Sequence, residues 1–350
     1  MKVLFVLKEK PDENLFVYSL RDALISEGIE AKCSVEDFWY NYEMYDIIHF
    51  HWLIGHIALS TSEDVYKFIN QIIAIRTRCK IVVTCHDLKP HLKDTYLETA
   101  MNYIYDHCDA MIHLGKYSFE YFTTQLNIKV KHYIIPHHIY NNFYKFSLDK
   151  LSARKQLKIP SDANVLLCFG IFRTDIERNM VLNAWKKVDI QNKYLLAPRF
   201  YHIKRIGNPI FKYILKYIYI QVVKVIYSKM LDAHFKYKYI PHNNMETYMC
   251  AADVLMMQRA TTLNSGNLSL GFHAKKVVIG PNIGNIREVL EKTGNPIFDP
   301  NDIPSITEAI QEGFRLKDTD LPQKNYNYAM KNWNVFEIAR KHIELYQDIL

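Results

Sequence analysis

Short apolar segments, each followed by a polar turn and then by an amphipathic stretch, recur along the 350-residue chain. Residues 3–7, 46–52, 164–170 and 277–280 are examples. Apolar runs of this length that alternate with helical patterns predict parallel strands with helices on both faces of the sheet. The chain is long enough for two hydrophobic cores and too long for one. The sequence therefore predicts an α/β protein with two doubly wound domains.

The composition narrows the class of protein. Hydrophobic residues make up 49% of the chain, which is typical of a globular protein, and the six cysteines form no CxxC pair, which favours reduced thiols over a zinc ribbon. Apolar runs end well before the roughly 20 residues that a membrane span requires, and the chain begins with a strand-like segment, so we expect a cytoplasmic protein. The formal net charge of +7 suits an anionic partner, whether nucleotide, membrane surface or nucleic acid.

A polar turn in the second half of the chain is a candidate anion site. Asn264, Ser265, Gly266 and Asn267 precede a predicted helix at residues 268–274. A helix N-terminus offers free backbone N–H groups and a positive dipole end, and the side chains of Asn264 and Ser265 add polar groups. This pattern suits a phosphate. An ordinary helix N-cap without a ligand is the alternative.

The order of elements around this turn resembles the donor-binding half of GT-B glycosyltransferases, in which a nucleotide-sugar diphosphate lies on the corresponding helix N-terminus. The resemblance rests on the Ser265 and Gly266 pair, the Ile240 to Tyr248 segment, the strand end at residues 277–281 and the segment at 284–288, and it covers most of residues 165–300. It implies two Rossmann-like domains facing a cleft. The residues expected at the donor nucleotide and its diphosphate are Arg173, Arg178, Ile240, His242, Asn264, Ser265, Gly266, Asn267 and Ser269.

Two details of this resemblance bear on the chemistry. In the family, a Gly-x-x-Arg sequence after a strand and a second cation neutralise the leaving diphosphate. Arg173 and Arg178 match these places. The alternative is that these arginines pair with Asp175 or Glu177. Relatives of glycogen synthase also carry two Glu residues eight positions apart, where this chain has Thr261 and Ser269. The family uses those Glu residues for the transferred sugar and the ribose, so their absence favours inversion of the anomeric configuration.

Histidines follow several predicted strands in the first half of the chain. Because ligands of open α/β sheets bind beyond the carboxyl ends of the strands, residues in these positions are expected to line the cleft. The His-x-His-Trp and Thr-x-His-Asp sequences resemble the acceptor-side half of bacterial polysaccharide glycosyltransferases with the GT-B fold. The resemblance implies a general base among Asp87, His86 and His51, and acceptor contacts from Trp52, His91, His113 and His137. A purely structural role is the alternative for each histidine.

Residues 199–238 break the alternation of strands and helices. The segment is rich in Lys, Arg and aromatic residues and contains one acidic residue, Asp232. A basic amphipathic helix is typical of proteins that lie on an anionic bilayer, where each Lys or Arg contributes roughly 1 kcal/mol. The alternative is an ordinary amphipathic helix of the second domain. The residues expected to contact the membrane are Lys204, Arg205, Lys212, Lys216 and Lys224.

Together these features predict an acceptor-binding domain at residues 1–145, onto which a helix at 330–350 packs, and a donor domain at 150–329. The resemblance implies an enzyme without metal or cofactor that transfers a sugar from a UDP- or GDP-sugar to a saccharide or lipid-linked saccharide. It implies capsule, exopolysaccharide or lipopolysaccharide synthesis at the inner face of the cell membrane. Two other classes are a metal-dependent hydrolase, suggested by His49 and His51, and a non-catalytic protein that binds membrane or nucleic acid. Nucleic acid is not expected because RNA-module signatures are absent.

Overall fold

The computed structural model describes residues 1–9, 14–52, 56–88, 95–200, 218, 221–222, 225–226, 228–229, 231–235 and 240–350. The chain divides into two compact units. Unit 1 comprises Met1–Phe143 and Met330–Leu350, and unit 2 comprises Tyr144–Ala329. Each unit is built on a six-stranded sheet in which every described strand pair is parallel. The predicted α/β class with two doubly wound sheets is confirmed.

Unit 1 has the strand order β2-β1-β3-β4-β5-β6. The strands are β1 (Lys2–Phe5), β2 (Glu30–Cys33), β3 (Ile47–Phe50), β4 (Lys80–Cys85), β5 (Ala110–His113) and β6 (Lys131–Ile134). The helices are Phe16–Ser26, Val35–Tyr40, Ser62–Ile75, Thr95–His107, Lys116–Glu120 with the π-helical Tyr121–Gln125, and the C-terminal Val335–Ile349. Helices on both faces explain why β3 is buried at all of its residues.

The C-terminal helix Val335–Ile349 packs against the helix Phe16–Ser26 within unit 1. Its buried apolar residues, among them Ile338 and Leu345, fall on one face of the helix and join the core that contains β1. Burial of such a face is worth about 25 cal/mol for each Å² removed from water. The end of the chain therefore completes the first core, not the second.

Unit 2 has the strand order β12-β11-β10-β7-β8-β9. The strands are β7 (Asn164–Leu167), β8 (Lys193–Ala197), β9 (Ala233–Phe235), β10 (Val254–Met256), β11 (Val277–Pro281) and β12 (Ile297–Phe298). The helices are Lys150–Leu157, Asp175–Lys187, Met245–Ala251, Gly266–His273, Gly284–Thr293 and Ile303–Leu316, followed by Leu321–Asn332 at the boundary with unit 1.

The segment at residues 199–238 is not wholly an insertion. Phe200 and Phe235 are buried in the core of unit 2, and their rings stack with centroids 4.1 Å apart. Strand β9 pairs with β8 at the edge of the sheet. The ends of the segment thus belong to the sheet and its core, because their aromatic residues are buried there rather than exposed.

A close contact between helix and sheet fixes the position of the helix Gly266–His273. A Cβ atom built on Gly271 would lie 2.5 Å from Val278 Cγ2 and 2.7 Å from Leu255 Cδ2. Only glycine allows this approach. The helix is therefore held tightly on β10 and β11, and its N-terminus lies near the carboxyl end of β7.

Candidate functional site

In unit 2, the turn that follows β7 lies against the N-terminus of the helix Gly266–His273. Asn267 Nδ2 donates to the carbonyl oxygen of Phe169 at 2.6 Å. Gly170, in the same turn, has a φ of +94°, a region that favours glycine, and a Cβ atom built on it would lie 3.5 Å from Asn267 Nδ2. The structure thus brings together two turns that are almost a hundred residues apart in the sequence.

Four consecutive carbonyl oxygens of this turn, which we call the Gly170 turn (residues 169–173), accept hydrogen bonds from side chains elsewhere in unit 2. The donors are Asn267 and Gln258 to Phe169, Gln258 to Gly170 at 3.3 Å, Arg259 to Ile171 at 2.7 Å, and Arg178 to Phe172 at 3.4 Å. Such bonds hold the backbone in one conformation and satisfy the negative ends of its peptide dipoles. An anion placed at the Gly170 turn therefore meets less repulsion from carbonyl groups.

The helix begins at Gly266, two residues before the predicted start, and Ser265 is its N-cap. The side chain of Ser265 accepts a hydrogen bond from the backbone N–H of Asn267 at 3.3 Å. Asn285 Nδ2 donates to Asn264 Oδ1 at 2.8 Å, which ties the turn to the next helix. Ser269, predicted at the donor site, is buried, and its hydroxyl donates to the carbonyl oxygen of Gly266 at 3.0 Å.

The two predicted arginines differ in their surroundings. Arg173 is exposed, and its guanidinium forms no hydrogen bond or ion pair with any residue that the structure describes. Arg178 is paired with Asp175, with Nε at 3.0 Å from Oδ1, which is the alternative that the sequence left open. Of the two, Arg173 has its charge available for a ligand.

A third arginine, Arg259, was not predicted. It follows β10 as Arg173 follows β7, and its Nη1 lies 3.2 Å from Glu177 Oε2. Glu177 is buried and also accepts the backbone N–H of Arg173 at 2.6 Å. Burial and, to a lesser degree, the nearby charge of Arg173 lower the pKa of Arg259 to about 10, while the Glu177 carboxylate opposes this shift. Its place directly after a strand end was the signal that could have identified it.

Ile240 and His242 lie in the segment that precedes the helix Met245–Ala251. Ile240 is buried, and His242 Nδ1 is 3.0 Å from the hydroxyl of Tyr144. Their proposed contact with a nucleotide stays a prediction.

In unit 1, four histidines surround the ring of Phe16 beyond the carboxyl ends of β3, β4 and β6. The ring centroid of Phe16 lies 5.5 Å from that of His51, 5.1 Å from His86, 4.5 Å from His137 and 4.4 Å from His138. Two further imidazoles extend the group, because the ring of His49 lies 4.4 Å from His51 and 5.9 Å from His342. We call these six histidines the histidine cluster.

Three of the predicted catalytic and acceptor residues, His51, His86 and His137, belong to this cluster. His51 Nδ1 is 2.9 Å from His86 Nε2, so the two rings share a hydrogen bond. Trp52 stacks on His86 with ring centroids 3.9 Å apart. Asp87 follows directly and is half-buried. The structure thus brings His51, Trp52 and His86 into contact, with Asp87 next to His86 in the chain, and their catalytic roles stay a prediction. The contacts of Phe16 and His342 with the histidine cluster were not predicted.

Burial keeps the imidazoles of the histidine cluster neutral. It lowers the pKa of His86 to about 3, with Asp87 opposing, and the pKa of His137 to about 4. The pKa of His51 also lies well below its usual range because the ring is buried. His51 Nε2 and both ring nitrogens of His138 are buried without a hydrogen-bond partner among the described residues. These atoms are free to bond a water molecule or a ligand.

The remaining predicted residues lie elsewhere. His113 is buried, and its Nε2 is 2.8 Å from His132 Nδ1, a contact separate from the Phe16 ring. His91 and the predicted membrane residues Lys204, Arg205, Lys212, Lys216 and Lys224 lie outside the described residues. Within the part of the chain that is described, no group of three or more His, Cys, Asp or Glu side chains is placed to hold a metal ion. None of the helices in that part is both long and apolar enough to span a bilayer.

Comparison with family models and with curated protein sequences found no match. Solved structures do match over nearly the whole chain. Sucrose-phosphate synthase from Thermosynechococcus elongatus has a TM-score of 0.72 at 16% identity, covering 99% of this chain and 98% of that one. HepE of Anabaena in complex with UDP-glucose has a TM-score of 0.73 at 14% identity, covering 99% and 100%. The catalytic domain of starch synthase IV from Arabidopsis thaliana, bound to ADP and acarbose, has a TM-score of 0.68 at 10% identity, covering 99% of each chain.

These three structures are glycosyltransferases built on two parallel sheets, and the match extends over both units of this chain. At such low identity the likeness concerns the fold, since function depends on the residues placed on it. The chain has the fold of the GT-B glycosyltransferases.

Proposed function

We propose that the protein is a glycosyltransferase that transfers a hexose from a nucleoside-diphosphate sugar to a saccharide acceptor. The observation that carries this proposal is the contact between the Gly170 turn, which ends at the exposed Arg173, and the N-terminus of the helix Gly266–His273 in unit 2. A guanidinium, the backbone N–H groups of a helix N-terminus and the helix dipole are together suited to a diphosphate. Solved structures of similar fold that contain UDP-glucose or ADP support the same assignment.

The reaction breaks the bond between the anomeric carbon and the diphosphate oxygen. Negative charge then develops on the leaving nucleoside diphosphate, and positive groups placed there in advance lower the barrier. In this proposal, Arg173 and the amides near Ser265 supply that charge, so the reaction proceeds without a metal ion. UDP is the first nucleotide to test, because the solved Anabaena structure contains UDP-glucose, and GDP is the second.

We place the acceptor, a saccharide or lipid-linked saccharide, at the histidine cluster of unit 1. The pKa of His86 is about 3, so its imidazole is neutral at physiological pH and can exchange hydrogen bonds with a sugar hydroxyl. Asp87 is the carboxylate that an inverting mechanism would use as its general base. Trp52 adds an aromatic face of the kind that packs against sugar rings. The proposed pathway is the synthesis of capsule, exopolysaccharide or lipopolysaccharide.

We also propose peripheral contact with the inner face of an anionic membrane through the segment at residues 199–238. The described helical residues of this segment include Ile218, Val222, Val225 and Ile226, which lie at helical spacing and are about half exposed. Lys229 beside them is exposed, and the segment as a whole is strongly basic. An exposed apolar face flanked by lysines fits a bilayer surface that carries negative lipids.

Binding of UDP to an Arg173→Gln variant tests the donor site. A charge-assisted hydrogen bond contributes about 1.5 to 3 kcal/mol, so we expect a Kd for UDP about ten- to a hundredfold higher, measured by titration calorimetry. Arg315→Gln is the matched control, since it removes an exposed arginine from another helix of unit 2. Equal UDP affinity of wild type and Arg173→Gln would contradict the proposed site. In a separate experiment, NMR of the reaction product shows whether the anomeric configuration of the transferred sugar is inverted.

Vesicle sedimentation tests the membrane proposal. The wild-type protein should sediment with vesicles that contain phosphatidylglycerol. It should stay in the supernatant when the vesicles are pure phosphatidylcholine. The double variant Val222→Glu and Val225→Glu should lose this binding, while Ile73→Glu, an exposed apolar position in unit 1, should retain it. Unchanged binding by the double variant would show that this face is not the contact.

A further inference from the structure

Arg259 lies under the Gly170 turn with most of its hydrogen-bonding capacity unused. Its side chain is 11% exposed, and both of its bonds, to Ile171 O and to Glu177 Oε2, come from Nη1. A guanidinium has five N–H donors spread over three nitrogens. Within the described part of the chain, Nε and Nη2 have no partner. Neither nitrogen is fully buried, so both can bond a water molecule or a ligand.

Nη2, one of the two unbonded nitrogens of this guanidinium, lies near the Gly170 turn. Nη2 would lie 3.8 Å from a Cβ atom built on Gly170, and Asn267 Nδ2 would lie 3.5 Å from the same point. Arg259 is therefore adjacent to the helix N-terminus that the proposed function assigns to the diphosphate. Beside it, Gln258 Oε1 is also buried without a hydrogen-bond partner among the described residues. Two neighbouring side chains thus have polar atoms that the described protein does not satisfy.

The charges around the turn leave an excess of one positive charge. Arg173 and Arg259 are both cations, and the charge of Arg173 disfavours the protonated form of Arg259. Among the described residues, Glu177 is the one carboxylate within bonding distance of Arg259. Arg259 and Glu177 are largely buried and Arg173 is exposed, and a further anion beside the two cations would balance the excess charge. A phosphate would relieve the repulsion between the two guanidinium groups.

We infer that Arg259 is a second cation of the diphosphate site, donating from Nη2 and Nε to the phosphate nearest the Gly170 turn. This inference rests on the proposed function. Arg259 takes the role that the sequence suggested for Arg178, whose guanidinium is held by Asp175. Because Glu177 holds Nη1 in place, the free edge is oriented before the ligand arrives, and little entropy is lost on binding.

The test compares UDP with UMP, which differ by one phosphate, in the full-length protein. For Arg259→Gln we expect a Kd for UDP raised about ten- to a hundredfold and a Kd for UMP raised less than about threefold. Arg259→Lys retains the positive charge but lacks the planar guanidinium with its paired donors, and we expect an intermediate loss of UDP affinity. Arg315→Gln, a surface arginine paired with Glu312, should leave both affinities unchanged.

Glu177→Gln separates ligand binding from a structural role. The substitution leaves the charge of Arg259 without its partner while the amide oxygen still accepts the N–H of Arg173. We expect a lower melting temperature without ligand, because a buried charge has lost its partner, and tighter binding of UDP, because the site becomes more positive. If Arg259→Gln does not fold, Arg259→Lys and Glu177→Gln decide the question.

The outcomes distinguish the inference from the proposed function. UDP affinity of Arg259→Gln within about twofold of wild type, or an equal loss for UDP and UMP, would overturn the role of Arg259 alone. Weaker UDP binding by Glu177→Gln would also overturn it, since the amide oxygen can still accept from Nη1 of Arg259 and only the opposing negative charge is removed. Failure of the wild type to bind UDP, GDP or ADP would overturn the proposed function and this inference with it.

Discussion

Unit 1 and unit 2 place different chemistry at the carboxyl ends of similar parallel sheets. In unit 1 these ends carry the histidine cluster, packed around Phe16. In unit 2 they carry Arg173, Arg259 and a helix N-terminus. Both sheets have six parallel strands, so the difference arises in the turns that follow the strands. The scaffold supplies positions, and the residues in those turns decide whether a site is neutral or cationic.

Burial acts on the two sites with opposite results. An imidazole has a pKa near 6.5, so burial makes it neutral at physiological pH, as at His86 and His137. A guanidinium begins near 12.5, and even when burial lowers the pKa of Arg259 to about 10 the group stays charged. The same desolvation therefore yields a neutral hydrogen-bonding surface in unit 1 and a permanent cation in unit 2. The following three predictions test this contrast.

Acidification should destabilise unit 1 more than unit 2, and this is the largest of the three expected effects. Each buried imidazole has a folded-state pKa below its ordinary value, about 3 for His86 and about 4 for His342, so the unfolded state binds protons first as the pH falls. The contribution of these histidines to the free energy of unfolding is fully present above about pH 6.5. Below that pH it falls by roughly 1.4 kcal/mol per histidine for each pH unit. Amide hydrogen exchange between pH 7.5 and 5 should show unit 1 opening before unit 2. Simultaneous opening would contradict the contrast.

Truncation of Phe16 should destabilise unit 1 without changing the proposed donor site. Phe16 is buried and contacts four imidazoles, so Phe16→Ala should lower the free energy of unfolding by about 3 to 5 kcal/mol. Phe143→Ala, an exposed position in the same unit, should cost less than about 1 kcal/mol. Urea unfolding measures both, and the native protein should retain its UDP affinity. A parallel loss of UDP binding would show that the two sites are not independent.

Replacement of Gly170 should have the smallest effect on stability and a selective effect on binding. Gly170 has a φ of +94°, so Gly170→Ala should cost about 1 to 2 kcal/mol and shift the turn. Gly294→Ala imposes similar strain at a φ of +71°, at the end of the helix Gly284–Thr293. Thermal unfolding should show similar losses for the two variants, with weaker UDP binding for Gly170→Ala alone. Equal UDP affinity in both would contradict the role of the turn.

Much of the architecture could be predicted because it depends on local patterns. Apolar runs at β3, β7 and β11 are short and bounded by polar turns, and the N-cap at Ser265 follows from the residue itself. The meeting of His51 with His86 was also predictable, because parallel neighbouring strands end at the same edge. Phe16, in contrast, belongs to an ordinary amphipathic helix and carries no local sign that it will contact four histidines.

The order of strands, turns and caps along this chain was determined by the sequence itself, since each depends on a few neighbouring residues. Tertiary structure alone decided which charges are available. It left Arg173 exposed and placed Arg259 between Glu177 and the Gly170 turn. The physical reason is that the state of a charged group depends on its burial and on partners distant in the chain. Those partners become neighbours only when the sheet has formed.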